Sequence, residues 1–414
     1  MIRSIKLVLL GMIVVIGIIG CVSSPDVPVP EGNSHSNNTQ PSLTESGKEN
    51  DSKASEDTAL PPEPVEPKTT EAVWIAVGDV MMHMPQYPGA LNAETGKYVF
   101  DPFFEAVTPI IQSGDWAIAN LETPIAGADL KYTGYPLFNA PPELAEALRN
   151  AGFNMVTTAN NHALDRGEKG VERTLEALQE QGLIVKGTSL TEESAREPVI
   201  VEKNEIKMGF LSYTYGTNGV PLPSGKPFLV SLMDDEEQMV RDIENTRAAG
   251  ADFITVALHF GTEYQYSPNE EQKRIARKLI AAGADIIAGS HPHVVQPYEV
   301  VESYDEQGRL KHGIIIYSMG NFISNQKGDY KDYGVIFRIH VIKHHEENRI
   351  EFTDIEPIPT WVHKYLKSGK NRYRIVPLEQ TIAERTEPGL SNNDYDQLKK
   401  HYDTLVDRLA SMLD

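Results

Sequence analysis

The stretch "GSHPHVVQ", Gly289 to Gln296, sets two imidazoles around a proline immediately behind the apolar run "ADIIA". In a chain with 12 histidines this is a ready pair of nitrogen ligands. The same juxtaposition, a donor side chain just after a short apolar run, recurs along the sequence. Asp79 follows "WIAVG"; Asn120 and Glu122 follow "DWAIA"; Asn160, Asn161 and His162 follow "NMVTTA", with Asp165 beyond. His259 and Glu263 follow "FITVAL"; His291 and His293 follow "DIIAGS"; Asn321 follows "IIIYSMG". Imidazole and carboxylate donors suit Zn, Mn or Fe, while a lone cysteine cannot build a thiolate zinc site. Two such ions about 3.5–4 Å apart need a bridging carboxylate and several histidines, and serve in-line attack of water at phosphorus. The residues expected here suffice to hold one or two divalent metals.

Taken singly, each residue has an ordinary explanation. A histidine at a strand end is commonly a half-buried, hydrogen-bonded loop residue. Asn in "TANNHALD" suits a turn, Asp79 after a glycine could cap a helix, and Glu122 in "NLETPI" could be a solvated carboxylate before a proline turn. Delivery of such groups to six successive strand ends is harder to obtain for structural reasons alone. The joint reading is a metal-assisted site.

The elements that must position these residues follow from periodicity. "PPELAEALRNAG" leads into "FNMVTTANNHALDRG", "MVRDIENTRAAG" into "ADFITVALHFGTEY", and "NEEQKRIARKLIAAG" into "ADIIAGSHPHVVQ". Each pair is a helix, a glycine where a C-cap belongs (Gly152, Gly250, Gly283), then a strand. Strands alternating with helices predict an α/β layered domain, and their continuous apolar character predicts sheets covered on both faces. Ligands in such folds bind where loops converge beyond the carboxyl ends of the strands, which is where the donors lie. After "GVIFRIHVIKHHEENRIEFTDIEPIPTWV" the texture becomes alternating strand, and "NNDYDQLKKHYDTLVDRLASMLD" has the spacing of a closing amphipathic helix. There is no obvious repeat of solenoid type.

The 414 residues carry 38 basic against 59 acidic side chains, a formal charge of −21. That balance repels a polyphosphate backbone and excludes a non-specific nucleic-acid binder. At the N-terminus, Arg3 and Lys6 precede an apolar run from Leu7 to Gly20 that ends at Cys21, the only cysteine. The run is short for a spanning helix and has the form of a signal-peptide core; "IIGC" has the form of a lipobox with Cys21 as the lipidated residue. The alternative is an uncleaved anchor with an incidental cysteine; either exports the rest of the chain. The protein is thus expected outside the cytoplasm as a membrane lipoprotein. The expected organisation is a signal peptide at 1–21, a disordered tether at 22–71 rich in Ser, Asn, Pro, Glu and Thr, and a catalytic-type domain at 72–325. Closing strands follow at 326–365 and a C-terminal helical extension at 366–414.

In order, "AVGDVMMH", "ANLETPI", "TTANNHALDRG", "LHFGTEY", "GSHPHVVQ" and "YSMGNFIS" resemble the motifs of the CapA family of poly-gamma-glutamate capsule biosynthesis proteins, within the calcineurin-like metallophosphatase superfamily. The resemblance covers nearly all of residues 72–325. It implies a four-layer α/β/β/α sandwich with the site loops at one edge of two packed sheets. It further implies that Asp79 binds the first metal and that Glu122 stands where a bridging aspartate is usual. Asn161 would bind the second metal, His162 would protonate the leaving group with Asp165 orienting it, and His259, His291 and His293 would be metal ligands. The superfamily's first motif is Asp-x-His, whereas here His83 lies four residues after Asp79. His83, Asn120, Asn160, Glu263 and Asn321 are further candidates for contact with metal or substrate. Two functions follow from the resemblance. One is a cell-surface hydrolase acting on a phosphoester or amide. The other is a non-enzymatic, membrane-anchored subunit that binds or tethers an anionic polymer beside membrane-bound poly-gamma-glutamate synthase subunits.

Overall fold

The computed structural model describes residues 68–304 and 307–413. The expected signal peptide, Cys21 and the tether up to residue 67 lie outside the described residues. In chain order the strands are β1 (Thr69–Val80), β2 (Trp116–Leu121), β3 (Met155–Thr157), β4 (Ile184–Lys186), β5 (Val199–Lys203), β6 (Ile206–Thr214) and β7 (Phe253–His259). They continue as β8 (Ile286–Ser290), β9 (Tyr298–Tyr304), β10 (Leu310–Ile316), β11 (Asn321–Ile323), β12 (Tyr333–His344), β13 (Arg349–Lys367) and β14 (Lys370–Pro377). One sheet has the order β14-β13-β12-β1-β2-β3-β4, with β11 beside β1; the other has the order β5-β6-β7-β8-β10-β9. Within them β1 to β4 run parallel, as do β6, β7, β8 and β10.

The two sheets pack face to face, and helices cover both outer faces. Trp74, Ala76, Trp116 and Ile118 of the first sheet meet Phe210, Phe253, Ile286 and Ile314 of the second in one buried core. Behind the first sheet, Leu144 and Leu148 of the helix Glu143–Ala151 pack on Ile75, Val77, Ala117 and Ala119. Behind the second, Met239 and Ile243 of the helix Glu236–Ala248 and Ile275 and Leu279 of the helix Glu270–Ala281 pack on Ile254, Val256 and Ile287. This is the four-layer α/β/β/α arrangement expected. The three expected stop glycines end their helices with positive φ: 108° at Gly152, 100° at Gly250 and 111° at Gly283.

Period-two alternation decides which side chains enter the space between the sheets. On β2, Trp116 and Ile118 face the other sheet while Ala117 and Ala119 face the helices, so Asn120 falls on the inner face. On β7, Phe253 and Ala257 point inward while Ile254, Val256 and Leu258 point outward, which brings His259 inward as well. Strict alternation on β1 from Trp74 would send Asp79 into the outer, helix-covered core. Instead the register with β2 shifts between Val77 and Asp79, so Gly78 is an extra residue. That bulge re-aims Asp79 toward the second sheet and returns Val80 to the outer core. A side chain at Gly78 could not exist there, because its Cβ would overlap the carbonyl of Gly320.

Two boundaries differ from expectation. Thr69–Glu71, assigned above to the tether, already pair with β12 in register with residues 342–344, a backbone attachment that needs no apolar side chains and so leaves no compositional trace. The extension expected to be helical from 366 begins with strand. β13 runs to Lys367, Ser368 and Gly369 turn with φ of 54° and 73°, and β14 returns beside it. Positive φ at both turn residues is what a tight hairpin requires. Alternate burial of Tyr373 and Ile375 completes the strand signature. Helices follow at Leu378–Glu384 and Asn392–Ala410. The second is amphipathic as expected, and its Tyr395, Leu398, Leu405 and Leu409 join the core between the sheets.

Candidate metal centre

At the carboxyl ends of the parallel strands the apolar core between the sheets gives way to polar side chains. Parallel register sets Asn321, Asp79, Asn120 and Thr157 side by side across the first sheet. On the second it sets Thr214, His259 and Ser290 side by side. The loops that follow add Glu122, Asn161 and His162 from one side and His291 and His293 from the other. Two overlapping triads result, Asp79 with Glu122 and His259, and Glu122 with His291 and His293, the ligand atoms of each lying within 4.8 Å of one another. Glu122 belongs to both, which is the position of a bridging carboxylate.

The supporting bonds aim these groups. Asn120 Nδ2 donates to Asp79 Oδ1 at 2.8 Å, and Thr157 Oγ1 donates to Asn120 Oδ1 at 2.9 Å. His259 Nδ1 lies 3.0 Å from Ser290 Oγ, which directs Nε2 to Asn161 Oδ1 at 2.9 Å and Glu122 Oε1 at 3.5 Å. His293 Nδ1 meets Asp79 Oδ2 at 3.0 Å and Asn321 Oδ1 at 3.1 Å, while its Nε2 stands 3.7 Å from Glu122 Oε1. Asp79 and Glu122 are both fully buried, so bulk solvent does little to screen two carboxylates at one site. Both Glu122 oxygens and His291 Nδ1 lack a hydrogen-bond partner among the described residues. Buried lone pairs of this kind are rarely left unmatched. The donor set, nitrogen and oxygen without sulfur, fits one or two divalent cations, with Asp79, Glu122, Asn161, His259, His291 and His293 to hold them.

The protein groups alone settle into an uneven distribution of charge. Burial pushes Asp79 up, but the hydrogen bond and positive charge of His293 prevail and hold it below the ordinary carboxylate value. Burial, with the Asp79 charge beside it, pushes Glu122 well up. Burial also opposes charge on His293, yet the Glu122 and Asp79 carboxylates raise it to about 9. Burial takes His259 down to about 3 and His291 well below its usual value. A buried His293–Asp79 ion pair thus stands beside Glu122, whose protonated form is favoured by burial and by the Asp79 charge, and two imidazoles that burial keeps neutral.

His162 stands next to the triads. Its Nδ1 lies 2.8 Å from Asp165 Oδ2, and the same oxygen accepts from the Phe138 backbone N–H at 2.6 Å. Burial opposes its protonation, but the Asp165 hydrogen bond and the Glu122 charge prevail and raise it. The Phe138 ring meets the imidazole edge-on at 4.6 Å. An imidazole oriented through Nδ1 by a carboxylate has Nε2 free for proton transfer.

Other candidates take different places. Asn160 uses both ends of its side chain on the backbone, donating to Leu121 O at 2.8 Å and accepting from His162 N at 3.1 Å, so it shapes the loop rather than binding a ligand. Asn321 likewise holds a loop, donating to Lys331 O at 2.8 Å. Asn120 acts on Asp79 and His259. Glu263 is exposed and joins neither triad; His83 also joins neither. Sequence reasoning passed over three aromatic residues. Tyr215 packs 4.6 Å from His291, Tyr264 6.0 Å from His293, and Phe138 lies against His162. Tyr215 was within reach, since it directly follows β6 in "GFLSYTYG", one more strand end of the kind already collected; Phe138 carries no such mark.

Residues 73–326, more than half of the chain, match the family model described as "Bacterial capsule synthesis protein PGA_cap". The chain is 29% identical over 330 residues to "PGA biosynthesis protein CapA" of Bacillus subtilis (strain 168), across 78% of this chain and 82% of that protein. It is 28% identical over 290 residues to "Capsule biosynthesis protein CapA" of Bacillus anthracis, across 68% of this chain and 66% of that one. Among solved structures, calcineurin-like phosphoesterase YfkN from Bacillus subtilis aligns over 82% of this chain and 99% of its own, at 15% identity and a TM-score of 0.40.

Proposed function

The chain belongs to the family of bacterial capsule synthesis proteins, and from that premise we propose that it serves poly-gamma-glutamate capsule biosynthesis or export as a metal-dependent hydrolase of phosphoester or amide bonds. The observation that carries the enzymatic part is Glu122, a buried carboxylate shared by two triads with both oxygens unmatched among the described residues. A divalent ion bound there supplies Lewis-acid polarisation of the scissile group. The protein's own residues do the rest. His162, held through Nδ1 by Asp165, whose hydrogen bond favours the protonated ring, delivers a proton from Nε2 to the departing atom. Tyr215 and Tyr264, whose rings pack against those of His291 and His293, help to hold the two imidazoles in place.

In this reading the chain works outside the cytoplasm, fixed to the membrane through a lipid on Cys21, near membrane-bound synthase subunits. What supports the location is the run from Arg3 to Cys21; what supports the partners is the capsule role named for the relatives. Metal content measured by mass spectrometry on protein purified without chelator, beside His291→Ala, tests the centre. Wild type should carry divalent metal, the variant distinctly less. Protein without metal, or loaded protein that cleaves neither p-nitrophenyl phosphoesters nor poly-gamma-glutamate, sinks the enzymatic reading. Retention of Cys21→Ser at the membrane would sink the lipid anchor.

A further inference from the structure

His83 stands four residues beyond Asp79 and Asn325 four beyond Asn321, on chain segments that run side by side from the paired residues Asp79 and Asn321. The backbone N–H of Asn325 donates to His83 Nδ1 at 3.3 Å. A neutral imidazole that accepts at Nδ1 carries its proton on Nε2. No hydrogen bond to Nε2 is found among the described residues, so the ring offers an N–H there, while Gln86 lies against the same imidazole and helps to fix it. Burial holds His83 down to about 4, which keeps the ring neutral at physiological pH. The Phe138 ring meets His83 edge-on at 5.2 Å as it meets His162 at 4.6 Å, so the two imidazoles share one aromatic wall. They differ in kind: a carboxylate behind Nδ1 makes His162 a proton donor, whereas a backbone N–H behind Nδ1 makes His83 a hydrogen-bond donor only.

Asn325 also brings a cation. Lys364 Nζ donates to Asn325 Oδ1 at 3.1 Å and lies 5.4 Å from the Tyr373 ring; it is exposed and has no carboxylate partner among the described residues. Beside His83 the surface is apolar. Met84 is 53% exposed, Tyr135 76% and Leu137 48%, and the last two lie on the loop whose Gly134 is so close to His83 and Met84 that a Cβ there would meet their backbone. A neutral N–H and an unpaired ammonium beside an apolar strip match a chain of methylenes that bears carboxylates.

We propose that His83, Lys364 and the strip of Met84, Tyr135 and Leu137 form a subsite for the leaving portion of the substrate, in which His83 Nε2–H and Lys364 bind a carboxylate and the strip packs against the adjoining methylenes. The subsite rests on the hydrolase reading above, because the leaving portion is the part next to His162. His83 here is a substrate-binding residue and not a metal ligand.

Calorimetric binding of a γ-linked glutamate pentamer to the manganese-loaded full chain tests it, with the α-carboxamide form of the pentamer and linear tripolyphosphate as alternative probes. We expect His83→Ala to keep the wild-type metal content and to bind the pentamer about tenfold more weakly, with His83→Gln, which retains an N–H donor, recovering most of the loss. Lys364→Met should weaken binding and flatten its salt dependence, and the carboxamide form should not distinguish the variants from wild type. Equal binding of the pentamer by wild type, His83→Ala and Lys364→Met overturns the subsite, as does no binding by wild type. Loss of a metal equivalent in His83→Ala makes His83 a ligand and overturns it too. Dependence on these residues for tripolyphosphate but not the pentamer overturns the carboxylate assignment. Failure of the hydrolase reading is read separately, from a loaded wild type that binds the pentamer without cleaving it.

Discussion

Glu122 and His293 are the residues at which metal binding and protonation compete. With both oxygens buried and unmatched among the described residues, Glu122 is pushed toward its protonated form by burial and the Asp79 charge, while the carboxylates around His293, Asp79 among them, favour its charged form. Glutamine imitates the protonated acid and cannot bridge two cations. Metal-free Glu122→Gln should therefore unfold within about 1 kcal/mol of wild type, or above it, while manganese or zinc that raises the wild-type melting temperature leaves the variant unmoved. A variant stabilised by metal as much as wild type would remove Glu122 from the centre. His293 gives the pH dependence. Its value is raised from 6.5 to about 9, so in the metal-free protein its contribution to stability is complete below about pH 6.5 and lost as pH rises through about 9. A metal ligand must be neutral, so affinity for the cation should run the other way, rising over the same interval with release of protons. Titration calorimetry in two buffers of different ionisation enthalpy reads that release; an enthalpy independent of buffer would contradict it.

At the scale of elements, the centre depends on close approach between a strand and its neighbour. Gly289 on β8 sits so near the carbonyls of Ile316 and Tyr317 that a Cβ would overlap both, and Gly78 on β1 stands in the same relation to Gly320. Gly289→Ala should destabilise the protein by roughly 3 kcal/mol and lower its metal content, since the strand that carries His291 and His293 must shift. Gly216→Ala, which meets nothing within 4 Å, should change stability by less than about 0.5 kcal/mol in the same denaturation measurement. Much of this architecture was legible in the sequence. Continuous apolar runs after helix-stop glycines mark β3, β7 and β8, and donors just past them mark His162, His259, His291 and His293. The bulge at Gly78 was not legible, because an extra residue changes the facing of Asp79 without changing composition. The β13–β14 hairpin was missed because its strands are half polar, and the "SG" between them is a weak turn signal. Phe138 was missed because it reaches His162 from a loop with no periodicity.

At the scale of the whole molecule, the closing helix Asn392–Ala410 lies beyond the segment matched by the family model yet completes the core between the sheets. Leu405 is fully buried in that core. Leu405→Ala should cost about 2–5 kcal/mol in chemical denaturation, and a loss below about 1 kcal/mol would show that the helix is dispensable. Both this helix and the polar rows tie the two sheets together. Asp79, Glu122 and Asn161 come from the first sheet, and His259, His291 and His293 from the second, so neither sheet holds a full set of ligands. The cation can therefore be captured only after the sheets have docked. A chain whose sheets have not docked lacks this assembled set, so metal selection is deferred to wherever folding finishes. Since imidazole and carboxylate sets rank the first-row metals mainly by intrinsic affinity, the ion pool at that place, more than the ligands themselves, would decide which element the mature protein contains.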